Sequence, residues 1–134
     1  MKRINDKINE IEKYLNEFSD FLPNDFNGYK NNIVLKAACE RYVEKIVEAI
    51  TDLAFLVIKF KNLKLPDDDI HAFRILYENN ILNEKLYSNL KNAKGMRNIL
   101  VHQYGLVDDE IIFNSFNQLI EDSNKFIEII PKLI

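Results

Sequence analysis

The sequence predicts an all-α fold, an up-and-down bundle of about five helices. Two observations carry this. Only three Gly and three Pro occur among 134 residues, too little material for the turns of an all-β chain. Long stretches then place apolar residues at three- and four-residue steps, the period of an amphipathic helix. At this length the chain forms one domain, residues 1–134, able to bury roughly two-thirds of the surface its unfolded form exposes.

Residues 3 to 22 carry Ile4, Ile8, Ile11, Leu15, Phe18 and Leu22 on one helical face, and Pro23 stops the helix. Residues 24 to 28 read as a loop. A long second helix follows from about Tyr29 to Leu63. Its buried stripe is Leu35, Cys39, Tyr42, Ile46, Ile50, Leu53 and Val57, with Arg41, Glu44, Glu48 and Asp52 opposite. That polar stripe reads as a solvated or ion-paired face unless it lines a functional groove. Pro66 and the run Asp67-Asp68-Asp69 end the connection and offer N-caps to a short third helix over residues 70 to 78, with Asn79-Asn80 in its closing turn. His71 belongs to the start of that helix as a surface residue. Asn83 and Glu84 open a fourth helix that buries Leu86, Leu90, Ala93 and Leu100. Its end is expected at Gly105 in a left-handed conformation, with Tyr104 as C-cap and Leu106 packing back on Val101. Asp108 and Asp109 start a fifth helix that carries Ile112, Phe116, Leu119, Ile120, Phe126, Ile127 and Ile130.

No apolar run reaches the ~18 residues of a membrane span, and Met1-Lys2-Arg3 leads into polar sequence, so a cytoplasmic protein without membrane contact is expected. Cys39 is the one cysteine and reads as a small buried apolar residue. With only His71 and His102 beside it, neither a disulfide nor a protein zinc site is expected. The formal net charge is −3, which argues against indiscriminate nucleic-acid binding, yet residues 83 to 104 are +3 and the remainder −6.

The positive segment contains the most unusual stretch, RNILVHQY, residues 97 to 104. Lys94, Asn98 and His102 are spaced i, i+4, i+8 and form one polar stripe on a helix. Gly95 lies beside it, and a mid-helix glycine, costing about 1 kcal/mol relative to Ala, suggests close approach of another helix or room for a ligand. Arg97 and His102 are five residues apart, about 140° around a regular helix. Acting on one phosphate, they need a swung arginine, a distorted helix end, or a second copy across a two-fold axis. Histidine exchanges protons near neutral pH, arginine holds phosphate bidentately, and Asn98 can add a hydrogen bond. Together they suit transfer at phosphorus without a metal or other cofactor, with the 2′-hydroxyl of RNA as nucleophile. Taken alone, an arginine and a histidine near a helix end are more often an ion-pair partner and a C-terminal cap.

The surroundings alter that balance. Arg97, His102 and Tyr104 match an R-x4-H-x-Y pattern, and ERYVEKIVEAITDLA, the Pro66 loop, FRILYENNIL and MRNILVHQYGLVDDEII follow in order over about three-quarters of the chain. In these features the chain resembles the HepT-like branch of the HEPN superfamily, the toxins of nucleotidyltransferase/HEPN toxin–antitoxin (type VII-like) pairs. The resemblance implies a dimeric helical bundle acting as a metal-independent endoribonuclease, with Arg97 and His102 as the catalytic pair facing a groove shared between two chains. Asn98, Lys94 and Lys91 would support RNA binding. It also implies a nucleotidyltransferase antitoxin as partner, which silences such toxins by adding AMP to the motif tyrosine, here Tyr104. The alternative is a non-catalytic helical partner that presents Tyr104 or a nucleotide to the nucleotidyltransferase. The complete motif favours the enzyme; the acidic remainder of the surface leans the other way.

Overall fold

The structure, a computed structural model, describes residues 1–102 and 108–134. The described residues are all-helical: α1 (Lys2–Phe21), α2 (Phe26–Lys30), α3 (Ile33–Phe60), α4 (Ala72–Glu78), α5 (Glu84–His102) and α6 (Asp109–Ile129). Short 3-10 segments occupy Asp69–His71 and Ile130–Leu133. The all-α bundle is as expected, with one helix more than the sequence suggests.

α1 buries Ile4, Ile8, Ile11, Leu15 and Phe18, the predicted face, and lies along α3. α3 is the spine. Its stripe from Cys39 to Ile58 is shared among α1, α4, α5 and α6, which makes it apolar around most of its circumference. The buried apolar residues of all these helices form one continuous core.

The extra helix is α2, where a loop over residues 24 to 28 was expected. The Asp25 carboxylate accepts a hydrogen bond from the Gly28 amide at 2.8 Å and caps the turn. Tyr29 is fully buried, its ring 5.5 Å from that of Phe113 and 5.3 Å from that of Phe116. Tertiary aromatic packing therefore stabilises a turn with weak local signals. The long second helix begins later than expected: α3 starts at Ile33, with the Asn32 side chain accepting from the Leu35 amide at 3.0 Å as its N-cap.

Both connections after α3 and α4 use asparagine in the left-handed region. Asn62 has φ 56° and Asn80 φ 61°. The Leu63 amide donates to the Ile58 carbonyl at 3.0 Å and the Ile81 amide to that of Leu76 at 2.9 Å, the 6→1 bond of a Schellman cap. Asp68 caps the 3-10 segment that leads into α4, where His71 Nδ1 lies 2.7 Å from the Asp68 carboxylate. Asn83 accepts from the Leu86 amide to start α5, and Asp108 accepts from the amides of Glu110 and Ile111 to start α6. The cap expected at Tyr104, Gly105 and Leu106 lies outside the described residues. Among the described residues, no helix is long and apolar enough to cross a membrane.

Phe18 is fully buried and its ring meets Phe21, Tyr42 and Phe116, with centroids 5.4–6.1 Å apart, so it ties α1 to both α3 and α6. Phe18→Ala is expected to destabilise the fold by about 3–5 kcal/mol. Urea denaturation followed by circular dichroism measures this, and a loss below 1 kcal/mol, in the range of a neutral surface change, would contradict the packing described.

Candidate functional site

α5 organises the site. Its Leu86, Leu90 and Leu100 are buried in the core and fix the helix rotation, which leaves Lys91, Asn98 and His102 toward the surface. Lys91 and His102 are exposed, His102 being the final residue of the helix. Asn98 is half-buried. Lys94 departs from a simple solvated stripe: its side chain is only 11% exposed, and its Nζ lies 4.0 Å from the Asp69 carboxylate at the foot of α4. Tyr104, the remaining predicted site residue, lies outside the described residues.

Arg97 turns toward α3. Its Nη2 donates to Glu48 Oε1 at 2.6 Å, and its Nη1 donates to the Asn98 side-chain oxygen at 3.3 Å. Among the described residues, the Nε is buried without a hydrogen-bond partner. The arginine side chain is 20% exposed and that of Glu48 50%, so the carboxylate is the more solvated member of the pair. Asn98 and Glu48 thus hold the guanidinium from two helices. Arg97 does take the ion-pair role that residue statistics favour, which does not remove it from reach of solvent.

Glu48 is the site residue that sequence reasoning left open. It belongs to the polar stripe of α3, whose other members find unrelated partners: Arg41 pairs with Glu44 at 3.2 Å, and Asp52 with Lys7 at 3.4 Å. Only its four-residue spacing from Glu44 and Asp52 was visible. Nothing in that spacing identifies a partner 49 residues away.

On its other flank α5 faces α6 across a groove of about 610 Å³ lined by Ala93, Gly95, Met96, Ile99, Ile111 and Ser115, among others. A Cβ added at Gly95 would meet nothing within 4 Å, so the glycine answers no close approach among the described residues. Ile99 and Ile111 stand exposed at 39% and 67%. Cys39 is fully buried and burial pushes its thiol up to about 11, which leaves it unionised at neutral pH and unsuited to nucleophilic work. Among the described residues, no three His, Cys, Asp or Glu side chains are grouped to hold a metal.

Comparison with known proteins gives this arrangement its context. The chain is 28% identical over 106 residues to the mRNA nuclease HepT of Shewanella oneidensis, a match that covers 79% of this chain and 80% of that protein. Its structure resembles that of a tri-AMPylated Shewanella oneidensis HEPN toxin in complex with an MNT antitoxin, with a TM-score of 0.88 and 26% identity over 96% of both chains. It also resembles a chain of a toxin–antitoxin complex with AMP-PNP, with a TM-score of 0.89 and 25% identity over 98% of this chain and 99% of the other. A family model described as "Ribonuclease HepT-like" matches residues 11–130, nearly the whole chain, and on this evidence the chain belongs to the ribonuclease HepT-like family.

Proposed function

We propose that this chain is the toxin of a toxin–antitoxin pair, a metal-independent ribonuclease that cuts RNA by 2′-hydroxyl attack. The observation that carries the reading is family membership together with the complete R-x4-H-x-Y pattern, whose Arg97 and His102 fall in the last two turns of α5. In the proposed step the 2′-oxygen attacks phosphorus as its proton is removed, and the phosphorus–O5′ bond breaks as a proton reaches the leaving oxygen. A 2′,3′-cyclic phosphate and a 5′-hydroxyl result. His102 serves proton transfer and Arg97 stabilises the charge that grows on the phosphorane. Asn98, in contact with Arg97, supports its orientation; Lys91 and Lys94 add positive charge beside the motif.

Around a regular helix Arg97 and His102 diverge by about 140°. Here Arg97 leans to α3 while His102 ends α5 in solvent. A second copy that brings its own α5 across a two-fold axis would supply the missing member of each pair. The open space beside Gly95 and the exposed Ile99 and Ile111 support such a contact. Light scattering at micromolar concentration is expected to give about twice 15.8 kDa; a stable monomer would remove the shared groove.

The scaffold alternative, a helical module that only binds a nucleotidyltransferase, is separated by an RNA cleavage assay. Arg97→Ala and His102→Ala are each expected to lower the cleavage rate at least ~100-fold with unchanged helical circular dichroism. Chelators are expected to leave cleavage intact. Activity undiminished in either variant refutes the catalytic assignment, and activity lost with EDTA points to a different mechanism.

The second half of the proposal is regulatory. A nucleotidyltransferase antitoxin adds AMP to Tyr104, placing phosphate and purine near the cations of the motif. A phenol stays protonated at neutral pH and is a poor proton shuttle, so the residue can be modified without being needed for cleavage. Tyr104→Phe is therefore expected to keep most of the cleavage activity but to escape silencing. Intact-mass spectrometry after incubation with the cognate enzyme and ATP should show one or more AMP groups on the wild type and none on the variant. Equal gain in both proteins would show that another residue is the switch.

A further inference from the structure

Arg97 does not face the solvent as a free cation. One of its donors is taken by the Asn98 side chain at 3.3 Å and another, at 2.6 Å, by Glu48. The second contact has the length of a strong charge-assisted hydrogen bond. A carboxylate and a phosphate engage a guanidinium through the same planar fork of donors, so the two anions compete for it. Glu48 is half exposed, so the pair contributes little to folding stability. Among the described residues, Glu48 is also the one member of its α3 stripe that contacts the motif, since Arg41 and Glu44 engage each other and Asp52 engages Lys7.

We propose that Glu48 is a built-in counterion of Arg97 that an RNA phosphate must displace, making it an affinity-setting residue of the site. The proposal rests on the ribonuclease reading above. While Glu48 holds Arg97, the guanidinium adds no net charge to the groove, and stray polyanions gain little from it. An RNA seated by the remaining contacts brings its phosphate close enough to take over the fork, and Glu48, on the solvent side of the pair, is free to turn away. The energetic consequence is specific. Binding at a neutralised arginine releases no additional counterion, whereas binding at an unpaired arginine does.

The test uses full-length protein carrying His102→Ala to prevent cleavage, a fluorescently labelled mixed-sequence single-stranded RNA, and anisotropy titrations over a range of salt. Adding Glu48→Gln keeps the size of the side chain and removes its charge. It is expected to tighten binding roughly tenfold at low salt. It is also expected to steepen the slope of log K against log salt by about 0.7, the value for one more phosphate neutralised on a single strand. Glu44→Gln removes the same charge one turn away, from the partner of Arg41, and should leave the slope unchanged. An unaltered or weaker affinity in Glu48→Gln overturns the counterion role, as does an equal change in Glu44→Gln, which would reduce the effect to net charge. If Arg97→Ala weakens binding while Glu48→Gln does nothing, the ribonuclease reading stands and only this inference falls. If the protein binds no RNA in any form, both fall together.

Discussion

The burial of α3 is the constraint on which the rest of this molecule depends. A helix with one apolar face can be covered by one neighbour, whereas α3 carries apolar side chains on several flanks, from Cys39 through Ile58, and must be enclosed. α1, α4, α5 and α6 each take part of that surface. Their rotations follow, because each has an apolar stripe that gains from burial only when turned toward α3. The aromatic residues Phe18, Tyr29, Tyr42, Phe113 and Phe116 pack against one another where α1, α2 and α6 converge on the spine.

Enclosure of the spine also places the candidate site residues. With Leu86, Leu90 and Leu100 committed to the core, Arg97 is carried to the boundary between α5 and α3, and His102 to the open end of its helix. Exposure and burial are then divided along one helix in a useful way. Arg97 is shielded enough for hydrogen bonds to matter, with a buried Nε and two partners, while the residue type suited to proton transfer remains in solvent. Lys94 shows the same pattern, a long side chain laid along the bundle with its ammonium reaching toward Asp69.

The electrostatic consequence is that a locally basic sequence is a much less basic surface. Residues 83 to 104 are +3 by count, but Arg97 meets Glu48 and Lys94 approaches Asp69, carboxylates from elements outside that segment. On the proposed ribonuclease reading, this pairing keeps an RNA-cutting protein from becoming a general polyanion binder. On that reading, attraction for RNA has to come from a seated substrate rather than from long-range charge.

Much of this was legible in the residues. Three- and four-residue periodicity marked α1, α3, α5 and α6, capping chemistry marked the starts of α5 at Asn83 and α6 at Asp108, and Asn79-Asn80 marked the closing turn of α4. These are local effects, set by backbone geometry and by side chains within four positions of each other, so a sequence can express them. The identity and spacing of Arg97, Asn98, His102 and Tyr104 were likewise explicit, and together with the segments around them they carried the family resemblance. What only the tertiary structure decided were relations between distant segments. The helix over Phe26–Lys30 exists because Tyr29 finds Phe113 and Phe116; the burial of Lys94 and the partnership of Arg97 with Glu48 arise because core packing turns α5 against its neighbours. Hydrophobic burial is non-directional and is settled by the whole bundle at once, so no pattern within one helix could name the carboxylate that its arginine would meet.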